Sequence, residues 1–472
     1  MWTKALHYLA GNVINNLIML LFLPIFSRYM IPAEYAVYSN LIIFITLARL
    51  FYLLGFNQSI ISFFYKENSE DYRYSFISSM YIAVIIGAVF FSGLIIILQK
   101  PITLLIVKDL KYLHLIKYSI LIIITQTFYV LTASILKMLG RSLNYTILGV
   151  INNLSQLFLF SYGALIGKFS VEDVLFYVTI SSFIVMLISL FNISFILKSF
   201  QLTNKNKFDL DILLPAIKFG AIMIPGTIAL LGMRIFDRLM LTNLSSDGLA
   251  DTGIYAMGYK IGAVMHVLVS IVSMTFLPYL MKFQEEERAS SKVRVVEKIY
   301  LLLAVLLGSG IILFSKDLFV YFIDAAYIKS SDIVFIGAIS TFLHGIFNLI
   351  NIGFYKTQKG AKIAVTVILG TTINILLNWL LIPRFGIWGA GYASIASYLV
   401  IVSINYYSVK KIYTVKFQLY PVFIASAFMI CLAFIVSFIN VSLINLIIKI
   451  LVFSSVSIFI LMKNKSLIKA VN

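Results

Sequence analysis

Ile25-Phe26-Ser27-Arg28-Tyr29-Met30 closes one long apolar stretch, and Ile235-Phe236-Asp237-Arg238-Leu239-Met240 closes another in the second half of the chain. Each is followed by a short polar connector and a matching start, Ala36-Val37-Tyr38 in the first half and Gly253-Ile254-Tyr255 in the second. A second pair lies further on. Lys137-Met138-Leu139-Gly140-Arg141 is echoed by Lys356-Thr357-Gln358-Lys359-Gly360-Ala361-Lys362, and residues 149–153 then fall near 370–374. The offsets agree, 217 from Tyr38 to Tyr255 and 220 from Gly140 to Gly360. Two matches in order at nearly one offset indicate a duplicated unit.

What is duplicated is a set of membrane spans. The chain has 472 residues, 61% hydrophobic and 12% charged, with a mean hydropathy of +1.00. Soluble domains carry roughly 25% charged residues, so lipid must solvate much of this surface. A span needs about 20 mostly apolar residues. The expected spans are 5–27, 36–63, 74–98, 113–136, 145–167, 173–197, 213–235, 252–281, 296–314, 331–354, 362–382, 387–408, 419–439 and 443–462. The fold class is therefore all-α integral membrane with 12–14 helices. Two pseudo-symmetric six-helix lobes, 1–200 and 201–410, are expected around a central cavity. Residues 411–472 add spans 13 and 14 and a cytoplasmic tail. Repeats of like orientation imply an axis along the membrane normal, with substrate bound where the lobes meet.

The net charge is +18. On a soluble chain this would suggest nucleic acid, but here the positive-inside rule accounts for it. Of the 37 Lys and Arg, 23 lie in one set of alternate connectors and 11 in the other, with Arg49, Lys260 and Lys449 inside spans. Both termini are thus expected in the cytoplasm, with the N-terminal stretch an uncleaved first span. Cys431 is the single cysteine, and His7, His114, His266 and His344 show no ligand spacing, so no metal or cofactor is expected. No connector is long enough to form a domain, which argues against an enzyme.

A charge at bilayer depth costs roughly 2.5–3.5 kcal/mol on insertion scales, so those present need a reason. Eleven residues after Tyr38 stands Arg49, and eleven after Tyr255 stands His266, an equivalence expected to set the two basic groups across the cavity from each other. Tyr255, Tyr259, His266, Ser270 and Ser273 form one stripe, and Ser340, His344, Asn348, Asn351 and Tyr355 another. Lys260 sits about 120° around the helix from His266. Arg28, Arg234 and Arg238 lie near span ends. Against these cations stand only Glu34 and Asp237, both expected near an edge. A cationic cavity attracts anions, and the forked guanidinium suits phosphate. Asn, Gln, Ser and Tyr suit sugar hydroxyls. Asp237, His266 and His344 are candidates for proton coupling.

These same residues carry a family resemblance. Met233-Arg234-Ile235-Phe236-Asp237-Arg238-Leu239-Met240, then Gly253-Ile254-Tyr255-Ala256-Met257-Gly258-Tyr259-Lys260, resembles the opening of the second lobe in Wzx-type polysaccharide flippases. Arg28 through Tyr38 is similar to the opening of the first lobe, with Ala36 where a Gly is usual. Ile382-Pro383-Arg384-Phe385-Gly386-Ile387-Trp388-Gly389-Ala390 resembles the Pro-x-x-Gly-x-x-Gly-Ala turn before the twelfth span. That superfamily also holds multidrug and toxin extruders and the lipid II flippase. The resemblance implies a flippase in the bacterial cytoplasmic (inner) membrane. Its substrate would be a polyprenyl-diphosphate-linked oligosaccharide repeat unit, moved to the outer leaflet by alternating access for O-antigen, capsule or exopolysaccharide synthesis. The implied diphosphate contacts are Arg28, Arg49 and Lys260. Implied partners are membrane lipid, a polysaccharide polymerase and a chain-length regulator. The alternatives are a cation-coupled drug or metabolite exporter of the same fold, which would want an anionic cavity, and a membrane polysaccharide polymerase or ligase, which would want a long outer loop.

Overall fold

The computed structural model describes residues 2–67, 69–200, 208–273, 280, 286–357, 359–412 and 417–464. Among the described residues all regular structure is helical. The first half contains α1 (Trp2–Tyr29), α2 (Pro32–Tyr52), α3 (Phe56–Phe63), α4 (Glu70–Ile97), α5 (Gln99–Val107), α6 (Ile116–Met138), α7 (Ser142–Leu165) and α8 (Val171–Lys198). The second contains α9 (Leu210–Leu244), α10 (Gly248–Gly262), α11 (His266–Ile271), α12 (Glu286–Leu313), α13 (Ser315–Phe322), α14 (Val334–Ile350), α15 (Ile352–Lys356), α16 (Ala361–Lys410), α17 (Leu419–Ser437) and α18 (Leu443–Lys463).

Helix starts are chemically marked. Ser170 and Asp173 form a reciprocal capping box at α8, satisfying donors that the helix leaves unpaired. Ser69 and Ser442 accept from Tyr72 N and Asn445 N at 3.1 Å, capping α4 and α18.

Among the described residues thirteen stretches are long and apolar enough to cross a membrane. One of them, α16, has 50 residues. As a straight rod it would reach about 75 Å, more than twice the ~30 Å hydrocarbon core. It is folded instead at Gly386, where φ is 52° and ψ is −128°, a conformation open essentially to glycine. A Cβ on Gly389 would lie 2.4 Å from the Leu381 carbonyl oxygen, as a tight reversal demands. The arms 361–385 and 387–410 are each long enough to cross, which makes fourteen candidate spans among the described residues.

Two expected spans are not single helices. The stretch 36–63 breaks between α2 and α3 at Leu54 and Gly55, with φ of 49° and 74°. There the backbone of Gly55 abuts Gly220 of α9, leaving no room for a Cβ. The stretch 252–281 turns through a 3-10 segment at Ala263–Met265 before α11. Residues 274–279 and 281 of that expected span lie outside the described residues.

The chain forms two compact units, Met1–Ile25 with Glu34–Leu231, and Phe26–Ala33 with Gly232–Asn472. In the first, Leu53, Phe56, Phe64, Phe76, Met80 and Ile135 form a buried core. Short polar bonds link its helices: Thr125 donates to Ser182 at 2.9 Å (α6 to α8), Asn153 to Asn15 at 3.1 Å (α7 to α1), and Asn144 to Asn192 at 3.0 Å (α7 to α8). Such bonds average about 0.6 kcal/mol each between membrane helices. They therefore set register more than stability.

In the second unit α14 is the central helix, with nearly every residue buried. It and the 3-10 segment before it, Ala325–Ile333, pack on α10 through small residues. A Cβ on Gly258 would sit 2.2 Å from the Ser330 carbonyl oxygen, and one on Gly262 2.1 Å from that of Val334. The Gly-x-x-x-Gly spacing thus lets backbones touch, the usual device where no hydrophobic effect drives association. Helix α18 is attached differently. Lys449 is its buried residue, and its Nζ meets Asp317 Oδ2 of α13 at 2.6 Å.

Removing one member of a buried pair strands the other charge, at a cost of about 3–5 kcal/mol. Lys449→Met is therefore expected to destabilise the protein by that amount, and Lys449→Met with Asp317→Leu to recover most of it. Thermal unfolding in detergent compares the two; equal losses would remove the pair from its anchoring role.

Candidate functional site

In the first unit the site is built around Arg49. It lies in the last turn of α2, half-buried, and its Nη1 donates to Gln126 Oε1 of α6 at 2.6 Å. Gln126 escaped the reading of the sequence. Its signal was an amide alone in the apolar run 120–128. Close by, Asn12 and Asn15 of α1, Tyr129 of α6 and Tyr145 of α7 line a small cavity of about 30 Å³, room for about one water.

In the second unit the candidates gather on α9, α10, α11 and α14. Arg234 Nη1 lies 2.8 Å from His266 Nε2. A guanidinium only donates, so His266 accepts there and its ring is neutral in this arrangement. The His266 and His344 rings are 5.6 Å apart. His344 is buried among Phe347 and Tyr398, and its Nδ1 has no hydrogen-bond partner among the described residues. The Arg238 guanidinium lies 5.8 Å from the centre of the Tyr259 ring, within cation–π range. Lys260 is half-buried one residue along α10. Arg28 is exposed at the end of α1. Arg234, His266 and His344 are thus brought together. Arg49 belongs to the other unit.

Asp237, expected near a membrane edge, lies close to the end of α9 and is fully buried. Tyr255 Oη donates to its Oδ2 at 2.9 Å and Asn378 Nδ2 to its Oδ1 at 2.8 Å. Ser394 Oγ donates as well, and Asn378 also donates to Asn374 Oδ1 at 3.1 Å. The reason is geometric. Asp237 sits two turns before the end of α9, on the face turned to both arms of α16. Asn374 and Asn378 at i, i+4 were a readable pair; that Ser394 from the second arm would join them was not. Asn378 Oδ1 has no partner among the described residues. The cage gathers the oxygens of Asp237 and Asn378, while Arg234, Arg238 and Lys260 carry N–H donors.

Comparison with known proteins places the chain. A family model described as polysaccharide biosynthesis protein matches residues 1–284. No curated protein matches the sequence significantly. Among solved structures, the lipid II flippase MurJ in an inward closed conformation is similar at a TM-score of 0.70 and 14% identity, over 99% of this chain and 98% of that one. An inward-facing multidrug resistance MATE family transporter of the MOP superfamily is similar at 0.66 and 13%, over 86% and 94%. The outward-facing form of a MATE family transporter gives 0.61 and 13% over the same shares. At these identities the likeness establishes the fold: a multi-pass membrane protein built like these transporters.

Asp237→Leu would leave Tyr255, Asn378 and Ser394 unsatisfied, each at about 1–3 kcal/mol. Asp237→Asn keeps acceptor and shape. The expected order of melting temperature is wild type, then Asn, then Leu well below. A Leu variant as stable as wild type would contradict the cage.

Proposed function

The chain belongs to the family of polysaccharide biosynthesis proteins, and from that membership we propose that it is a flippase, not an enzyme. Its substrate is a polyprenyl-diphosphate-linked oligosaccharide, carried from the cytoplasmic to the outer leaflet of a bacterial cytoplasmic membrane. The observation that carries the reading is the sign of charge inside the spans. Arg49 in one unit, and Arg234, Arg238 and Lys260 beside His266 and His344 in the other, present donors. The carboxylate among them, Asp237, is enclosed by its own hydrogen bonds. A diphosphate fits such a set, because charge-assisted bonds from Arg are short and bidentate. A cationic drug does not. The exporter reading shares the fold but lacks an observation of its own.

In this mechanism Arg49 of one unit binds phosphate, and Arg28 and Lys260 are the phosphate-binding cations of the other. Arg234 is withdrawn from His266 when an anion arrives. The lobes 1–200 and 201–410 then exchange access, with both termini cytoplasmic throughout. Asp237 is the coupling group, since a buried carboxylate changes its cost of burial when it takes a proton or a sodium ion. O-antigen, capsule and exopolysaccharide units remain equal candidates for the cargo, with polymerase and chain-length regulator as neighbours.

Reconstituted proteoliposomes with a fluorescent polyprenyl-diphosphate oligosaccharide and a leaflet-specific sugar-cleaving probe test this directly. Arg49→Ala is expected to abolish turnover in a folded protein and Arg49→Lys to restore part of it; normal turnover in the Ala variant would sink the assignment. In the same assay an imposed proton or sodium gradient should speed the wild type. It should not speed Asp237→Asn. Gradient-independent wild-type turnover would remove the coupling role.

A further inference from the structure

A second site lies wholly within the second unit, away from the candidate cations. It is a cavity of about 570 Å³ bounded by the end of α12, α13, the start of α14, the second arm of α16 and the end of α17. That size is in the range of pockets that hold a small molecule. Its lining is graded along the helix axes. At one end are Lys316 at the start of the short helix α13, Ser331 and Asp332 just before α14, and Ser437 at the end of α17. Trp388 and Tyr392 follow, their rings 6.3 Å apart. Beyond them the wall is aliphatic, with Ile395, Leu399 and Ile430.

The cavity opens sideways. Tyr392, Ile430 and Phe434 line it and are also exposed on the outside of the bundle. Apart from the short α13, the surrounding helices are apolar enough to span, so the opening faces hydrocarbon. An occupant must arrive through the bilayer, with a polar head at the helix ends and an apolar body one to three turns deeper. Trp and Tyr commonly mark the headgroup level.

The charges select the head. Lys316 Nζ donates to the Ser437 carbonyl at 2.6 Å, and an ammonium has three donors. Asp332 lines the same end. An anionic head would meet the Asp332 carboxylate, and a purely cationic one would meet Lys316. A zwitterionic head matches both, phosphate to Lys316 and primary ammonium to Asp332. We propose that this cavity binds one zwitterionic phospholipid of the phosphatidylethanolamine type, with an acyl chain along Ile395, Leu399 and Ile430. The polar end is at the opposite end of these helices from Lys356, Lys410 and Lys411. With those lysines cytoplasmic, the lipid belongs to the outer leaflet.

The test uses the full chain in nanodiscs of equal parts phosphatidylethanolamine and phosphatidylglycerol, released into mild detergent for native mass spectrometry. One retained phosphatidylethanolamine is expected, favoured about tenfold over phosphatidylglycerol, a modest energetic difference. Ile395→Trp fills the apolar end and should cut retention about tenfold with the melting temperature unchanged; Ala396→Phe serves if that variant does not fold. Asp332→Asn should keep lipid but lose the headgroup preference. Equal retention of the two phospholipids by the wild type, retention indifferent to filling the cavity, or displacement by an added polyprenyl phosphate would each overturn the proposal.

Discussion

A polar group inside a membrane helix has no water to fall back on, and this structure is organised by where such groups find partners. Asp237 is the strictest case. Its carboxylate lies on a fully buried face of α9 and is met by α10 through Tyr255 and by both arms of α16 through Asn378 and Ser394. Those bonds come from three helices and require them in one register. The reversal at Gly386, which brings the second arm back, is therefore tied to the same carboxylate.

The constraint recurs with different chemistry elsewhere. Arg49 is received by Gln126, a neutral acceptor that leaves the guanidinium its charge. Arg234 is received by His266, again an uncharged acceptor. Lys449, by contrast, is paired with Asp317 and so has no charge to offer. The difference separates a cation held ready for an anion from a cation used as an anchor. A census of charged residues in spans cannot make that distinction.

The lateral cavity obeys the same rule in reverse. Its polar groups stand at helix ends and its deeper wall is apolar, so no unpaired group is left in hydrocarbon once an amphipathic molecule lies there.

The sequence by itself determined the class and most of the candidate spans, and it pointed to a duplication. Hydropathy is a sum over about twenty residues and survives any error in detail, and Pro383-Arg384-Phe385-Gly386 marked the reversal through its resemblance to the family's turn before the twelfth span. It also picked out Arg49, Arg234, His266 and His344, since a charge or imidazole in a span is conspicuous. The tertiary structure alone decided which of these meet. The joining of Asp237 to Ser394 spans 157 residues, and helical periodicity carries no information across such a distance. Gln126 stayed hidden for the same reason, as an amide reveals its role only through the arginine set against it. The break at Leu54 and Gly55 is closely met by Gly220 on another helix, a steric fact that no local pattern records.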